Sequence, residues 1–172
     1  MAVTSSKGGR AELMQLLEKL EIRSQVVEHP AVFTVEEMMP HVGHLVGAHS
    51  KNLFLRDKKK KGLWLVTTLA EREVNLGDLG KKLSVSGGLR FADEDVMIDT
   101  LNVAQGCCTP LALFNDKDRK VQFILDDDFI NGGHEQIFFH PMVNEATLGM
   151  SPQDFLKFLE AIEHKPTLIS FQ

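Results

Sequence analysis

Three short segments hold the side chains best suited to chemistry. Lys51 and Asn52 head the apolar stretch Leu53-Phe54-Leu55, so a cation and an amide stand at the start of a candidate strand. Gly106 and Pro110 bracket Cys107, Cys108 and Thr109. Glycine permits positive φ and close backbone approach, and proline stiffens the far end, so such a loop can aim amide donors at a carbonyl or carboxylate. His140, Asn144 and Thr147 gather an imidazole, an amide and a hydroxyl in one stretch. An ordinary lysine, with a pKa of about 10.4, is charged at neutral pH and anchors phosphates or polarised carbonyls rather than accepting protons. Each segment also has a plainer reading: a surface lysine, a tight turn into a strand, a turn whose polar groups satisfy the backbone.

Other chemistries find little support. Cys107 and Cys108 are the only cysteines and are adjacent, so no disulfide framework is expected and a reducing, cytosolic location is. No Cys–His arrangement points to a thiol nucleophile. His29, His41, His44, His49, His134 and His164 form no zinc-ligand spacing, so no metal is expected, and no cofactor. Gly-x-Gly-x-x-Gly, phosphate-loop and Gly-x-Ser-x-Gly signatures are absent. No signal-peptide pattern or membrane-length apolar run occurs. The net charge of −5 argues against broad nucleic-acid binding, yet Arg56, Lys58 to Lys61 and Lys81-Lys82 are local exceptions. The lysine run reads most simply as a solvated turn.

A chain of 172 residues fits one domain. Residues 1–9 read as a frayed tail, with the domain spanning 10–172. Leu13, Leu16, Leu17 and Leu20 predict a helix from Arg10 to Lys19 or Leu20. Ser24 to His29 reads as a strand. Thr34 and Glu37 form a capping box for a helix that begins at Val35 and stops before Pro40. Val42 to Ser50 is ambiguous. Lys51 to Arg56 and Leu63 to Thr68 read as a hairpin. Asn75 caps a helix to about Leu83, Leu89 to Ala92 is a short strand, and Asp93 caps a helix fading near Asn102. Leu111 to Phe114 and Val121 to Leu125 read as a second hairpin, Gln136 to His140 and Ala146 to Leu148 as two more strands. Ser151-Pro152 starts a closing helix with Phe155, Leu156, Leu159 and Ile162 as its stripe. The fold class is α+β, one domain, with strands that suggest a partly open barrel.

Read in order, Glu28-His29-Pro30-Ala31-Val32-Phe33-Thr34-Val35-Glu36-Glu37, the Lys51 to Leu55 strand, the Gly106 to Pro110 loop and the His140 to Thr147 segment resemble the YbaK and prolyl-tRNA synthetase-associated domain family. Within it, the wording is most similar to the free-standing alanyl-tRNA(Pro) deacylases. The resemblance implies a mixed, mostly antiparallel, barrel-like sheet flanked by helices, working without metal to remove a wrong amino acid from tRNA(Pro). Carried over by position, it implies that Lys51 contacts the tRNA end and places the ester. Gly106 to Pro110 hold substrate through their backbone, and His140, Asn144 and Thr147 shape the aminoacyl site. Arg90, in Leu89-Arg90-Phe91-Ala92, matches more loosely a contact to the acceptor stem. No side chain offers itself as a strong general base, so a water placed by backbone groups and the ribose hydroxyl fits better. The implied partners are the tRNA(Pro) acceptor end carrying a small amino acid, with prolyl-tRNA synthetase or an elongation factor beside it, and the chain acts as a monomer. Two alternatives remain: a cysteinyl-tRNA(Pro) deacylase of the YbaK type, and a non-catalytic tRNA-binding or synthetase-adaptor module.

Overall fold

Side chains that bond to nearby amides start most of the helices. In the computed structural model, which describes residues 7–171, Thr34 Oγ1 accepts from the Glu37 amide at 3.1 Å and opens helix α2 (Val35–Val42). Asn75 does the same through Asp78 for α3 (Leu76–Lys82), and Ser151 through Asp154 for α6 (Pro152–Ala161). Helix α1 (Arg10–Lys19) buries Leu13 and Leu17 as its spacing predicts, and α4 (Glu94–Leu101) follows Asp93, which takes the N-cap position but, contrary to expectation, makes no side-chain cap bond. A short α5 (Asp128–Asn131), unforeseen in the sequence, completes the set. Helix α2 runs through Pro40 instead of stopping before it. Pro40 and Glu36 are both exposed, so solvent can satisfy the carbonyl that proline cannot engage.

Eight strands among the described residues form one mixed sheet. β1 (Gln25–Glu28) pairs antiparallel with β7 (Ala146–Met150), which pairs antiparallel with β6 (Ile137–Phe139). β6 runs parallel to the start of β2 (Ala48–Asp57), and β2 pairs antiparallel with β3 (Leu63–Leu69) and β4 (Leu89–Phe91). β5 (Val121–Asp126) lies parallel to β3, and β8 (Thr167–Ile169), also unforeseen, lies parallel to β5. The order is β1-β7-β6-β2-β3-β5-β8 with β4 beside β2, and the sheet does not close.

The expected second hairpin is replaced by other structure. Pro110–Asn115 is a 3-10 helix, and β5 reaches the sheet as a parallel neighbour of β3. Thr109 Oγ1 accepts from the Leu111 amide at 3.2 Å and Pro110 takes the first helical position. Leu111, Ala112 and Leu113 are all buried, and a short, wholly apolar run fits either period. In α6, Phe158 faces inward while Leu156 is exposed, so the stripe is Phe155, Phe158 and Leu159.

One face of the sheet packs with α1, α4, α6 and the 3-10 helix around Phe123, Phe139, Phe155 and Phe158. The other packs Leu55, Trp64, Val66 and Ile124 with Leu79 of α3. Residues 1–6 of the expected tail lie outside the described residues. Gly8 is buried, its amide donating to Asn115 Oδ1 at 2.7 Å and its carbonyl accepting from Asn115 and Asn102. No helix among the described residues is long and apolar enough to cross a membrane.

The segment after α6 is tied down by a buried pair, His164 Nε2 against Asp116 Oδ2 at 3.0 Å. Burial alone would raise the Asp116 pKa, but bonds from His164 and from the Val121 and Lys120 amides outweigh it and leave it lowered. A lowered carboxylate stabilises the fold above its unfolded pKa of about 3.9 and loses that contribution as pH falls through the folded value. Asp116→Asn is therefore expected to cost about 2–4 kcal/mol at neutral pH. In thermal melts the gap to wild type should hold down to about pH 5 and narrow below about pH 4.

Candidate functional site

The three segments meet at one hollow. A cavity of about 480 Å³ is lined by Ser50, Lys51, Asn52 and Phe54 of β2, by Gln105, Gly106 and Cys108 of the Gly-x-x-x-Pro loop, and by His140 after β6. Val32, Phe33, Thr34, Val35 and Met38 close it from the α2 side, and Phe91, Ala92, Glu94 and Met97 from β4 and α4. A recess of about 10 Å³ adjoins it, sharing Met38, Ser50 and His140 and adding His49, Phe138, Phe139 and Thr147.

Lys51 is half-buried and its ammonium donates to the Arg72 carbonyl. Arg72 is itself held: its Nε donates to Asp126 Oδ2 at 2.5 Å, and Asp126 also accepts from the Leu69 and Asp128 amides. A buried carboxylate at the end of β5 thus fixes the turn that receives the lysine. Asn52 Oδ1 accepts from Thr67 Oγ1 across the β2–β3 pair at 2.6 Å. Gly106 has φ of 85°, and a Cβ there would lie 2.7 Å from the Phe33 ring and 3.3 Å from Asn144 Nδ2.

His140 donates through Nδ1 to the Ala146 carbonyl at 3.1 Å, which leaves Nε2 as the acceptor nitrogen. Burial lowers its pKa below the usual histidine value, the Ala146 carbonyl opposes this, and nearby His29 adds to it. The ring is neutral at pH 7. Cys108 lines the cavity, but burial pushes its thiol up to about 12, and burial also raises Cys107. Neither sulfur is a ready nucleophile.

The remaining sequence candidates frame the hollow. Thr109 is buried and caps the 3-10 helix, with Pro110 beside it. Asn144 Nδ2 donates to the Val32 carbonyl at 2.7 Å, and the Val32 amide returns a bond to the Asn144 carbonyl. Thr147 faces the recess and bonds His29 Nε2 at 2.9 Å. Arg90 is exposed on β4, one residue from the cavity wall. Sequence reasoning passed over Phe33 and Phe91, which are 65% and 60% exposed at the mouth, and Glu94, whose Oε2 accepts from the Gln105 amide. Large aromatics left in water beside a cavity were the available signal for the first two.

Fold and site together define an α+β domain with one cavity lined by a lysine, an amide, an imidazole and exposed aromatic rings, and comparison with known proteins gives that class its family. Residues 29–158 match the aminoacyl-tRNA editing domain, and the chain belongs to that family. It is 62% identical over 163 residues to the mouse prolyl-tRNA synthetase associated domain-containing protein 1, covering 94% of this chain and 96% of the relative. It is 32% identical over 149 residues to the prolyl-tRNA editing protein ProX of Acetoanaerobium sticklandii, covering 84% and 87%. A crystal structure of a candidate trans-editing enzyme for prolyl tRNA synthetase shares the fold, with a TM-score of 0.65 at 21% identity over 97% of this chain and all of that one.

Gly106 has neither the φ nor the space for a side chain. Gly106→Ala is expected to destabilise the protein by about 1–3 kcal/mol and to displace Phe33. Urea unfolding with aromatic NMR shifts measures both effects.

Proposed function

We propose that this chain hydrolyses the ester of alanyl-tRNA(Pro) in trans, rejecting proline by size. The observation that carries the proposal is the pairing of a cavity bearing Lys51, Gly106 and His140 with an adjoining recess of about 10 Å³. A recess of that size holds roughly one water-sized group, comparable to a methyl and far smaller than a pyrrolidine ring. A synthetase pocket sized for proline cannot strongly exclude alanine, since lost apolar contacts discriminate by only about 1–3 kcal/mol per methylene. A second, smaller pocket removes the ambiguity.

The larger cavity suits the terminal nucleoside. Phe33 and Phe91 supply exposed faces for its base, a contact worth about 1–3 kcal/mol. Lys51 faces the ester, where its ammonium stabilises charge developing on the carbonyl oxygen. The raised thiols argue against a covalent intermediate, so the nucleophile is water. Water adds to the ester carbonyl carbon, the bond to the ribose oxygen breaks, and that oxygen leaves as a hydroxyl with the proton. Neutral His140 accepts a hydrogen bond through Nε2 and so orients the water or the substrate amine. Two free cysteines fit the reducing cytosol.

The test is a deacylation panel with tRNA(Pro) charged with Ala, Ser, Cys and Pro. Alanine should be released fastest and proline spared. Preferential release of cysteine would move the chain to the cysteinyl branch, and binding without turnover would make it an adaptor. Lys51→Ala should lower kcat/KM about 100-fold or more while the protein stays folded. Full activity in that variant would remove the proposal. A second expectation comes from His140. Because its pKa lies below about 6.5, kcat/KM should stay level through neutrality and fall only at more acidic pH.

A further inference from the structure

The cation cluster on β2, its turn and β4 is not used by the cavity. Arg56 and Arg90 are directly opposed in the β2–β4 register. Like charges in that arrangement destabilise a sheet, so the pair serves something other than folding. Arg56 Nε is buried without a hydrogen-bond partner among the described residues. Arg90 Nη2 donates to the Gly87 carbonyl at 3.4 Å, and a Cβ built on Gly87 would lie 3.0 Å from Lys58 Cβ, so Lys58 and Arg90 converge on that glycine. Lys58 to Lys61 are all exposed. The carboxylate within the cluster, Asp57, is engaged by the Lys61 and Gly62 amides at 2.7 and 3.0 Å.

The cluster also points the right way. Strand residues two apart share a face, so Asn52, Phe54 and Arg56 share one side of β2. Asn52 and Phe54 line the cavity, and the Ala92 amide bonds the Phe54 carbonyl at 3.0 Å, which brings the β4 side of the wall alongside. At roughly 3.3 Å of rise per residue, Arg56 stands about 7 Å beyond Phe54 and Arg90 about 3 Å beyond Phe91, with the lysine turn further out.

We propose that Arg56 and the Lys58–Lys61 turn extend the acceptor-stem contact that the family resemblance implies for Arg90, gripping the phosphate backbone of the RNA whose aminoacylated end enters the cavity. The proposal rests on the ester-hydrolysis reading for its partner. It also accounts for how a chain of net charge −5 holds RNA: the contact is one local cationic face rather than a basic surface.

The test uses the whole chain with Lys58, Lys59 and Lys61 changed to Gln, keeping Lys60 because its φ of 57° makes it conformationally special. An uncharged acceptor-stem minihelix is titrated from about 50 to 200 mM salt, and hydrolysis is compared on an alanyl-minihelix and an alanyl-CCA trinucleotide. The variant should bind the minihelix about tenfold more weakly at low salt, with a log–log salt slope flatter by about 2. Its loss in kcat/KM should be confined to the minihelix, and Arg56→Gln should show the same selectivity. Wild-type affinity and slope in the triple variant, or an equal loss on both substrates, would overturn the proposal. If the wild type binds the minihelix with a steep slope that the variant loses, yet hydrolyses neither substrate, the deacylase reading falls and the RNA-binding face stands.

Discussion

Everything at the site depends on β2 being held along both edges. Its ten residues pair with β3 on one side and with β6 and β4, at opposite ends, on the other. A strand paired this way cannot slip by one residue without turning every side chain to the wrong face. The ladder therefore fixes Ser50, Asn52 and Phe54 on one side of β2 and Lys51 between them in the cavity wall. Lys51 needs one further restraint, because a four-carbon stem samples many rotamers. Asp126 supplies it at one remove, bonding Arg72 and the Leu69 amide so that the Arg72 carbonyl meets the ammonium. One buried carboxylate joins the ends of β3 and β5 and steadies the charge in the cavity.

The chemistry available to such a site is electrostatic and positional. Lys51 is the cation in the cavity lining, and Glu94, its carboxylate, already accepts from the Gln105 amide. His140 is neutral and the cysteines are protonated, so no strong base or nucleophile is stored there. An aminoacyl ester is already activated toward water, and orientation together with charge stabilisation suffices to hasten its hydrolysis. On the proposed reading, the same frugality would limit damage to correctly charged substrate, because selection would fall on what fits rather than on reactivity.

What the sequence made legible follows the range of the interactions. The caps at Thr34, Asn75 and Ser151 each join a side chain to an amide three residues on, and all three were readable. The β2–β3 hairpin was readable for the same reason, being local and turn-bounded. The 3-10 helix at Pro110 was not, because a buried apolar run of a few residues carries no period. Nor were the contacts that brace the site. Asn144 reaches Val32 across 112 positions and Leu69 reaches Asp126 across 57, and neither pairing leaves a mark in one sequence. Thr109 and Asn144 stood out as polar groups in promising segments, and the structure places both in bonds that hold the loops around the hollow.

Overall charge and local charge answer different questions here. A net charge of −5 keeps most of the surface unattractive to nucleic acid, which disfavours sliding along RNA at random. Arg56 and Arg90 are opposed across the β2–β4 pair, each donating to a backbone carbonyl, and an anion bound between them would relieve their mutual repulsion. Because Arg56 shares a face of β2 with Asn52 and Phe54 of the cavity wall, an anionic backbone held there as proposed would orient what enters the cavity. A protein that must find one terminus among many similar RNAs gains more from such an aimed contact than from a uniformly basic surface. The strand that places Lys51 at the hollow also carries Arg56 beyond it, so the proposed substrate capture and ester placement share one rigid element.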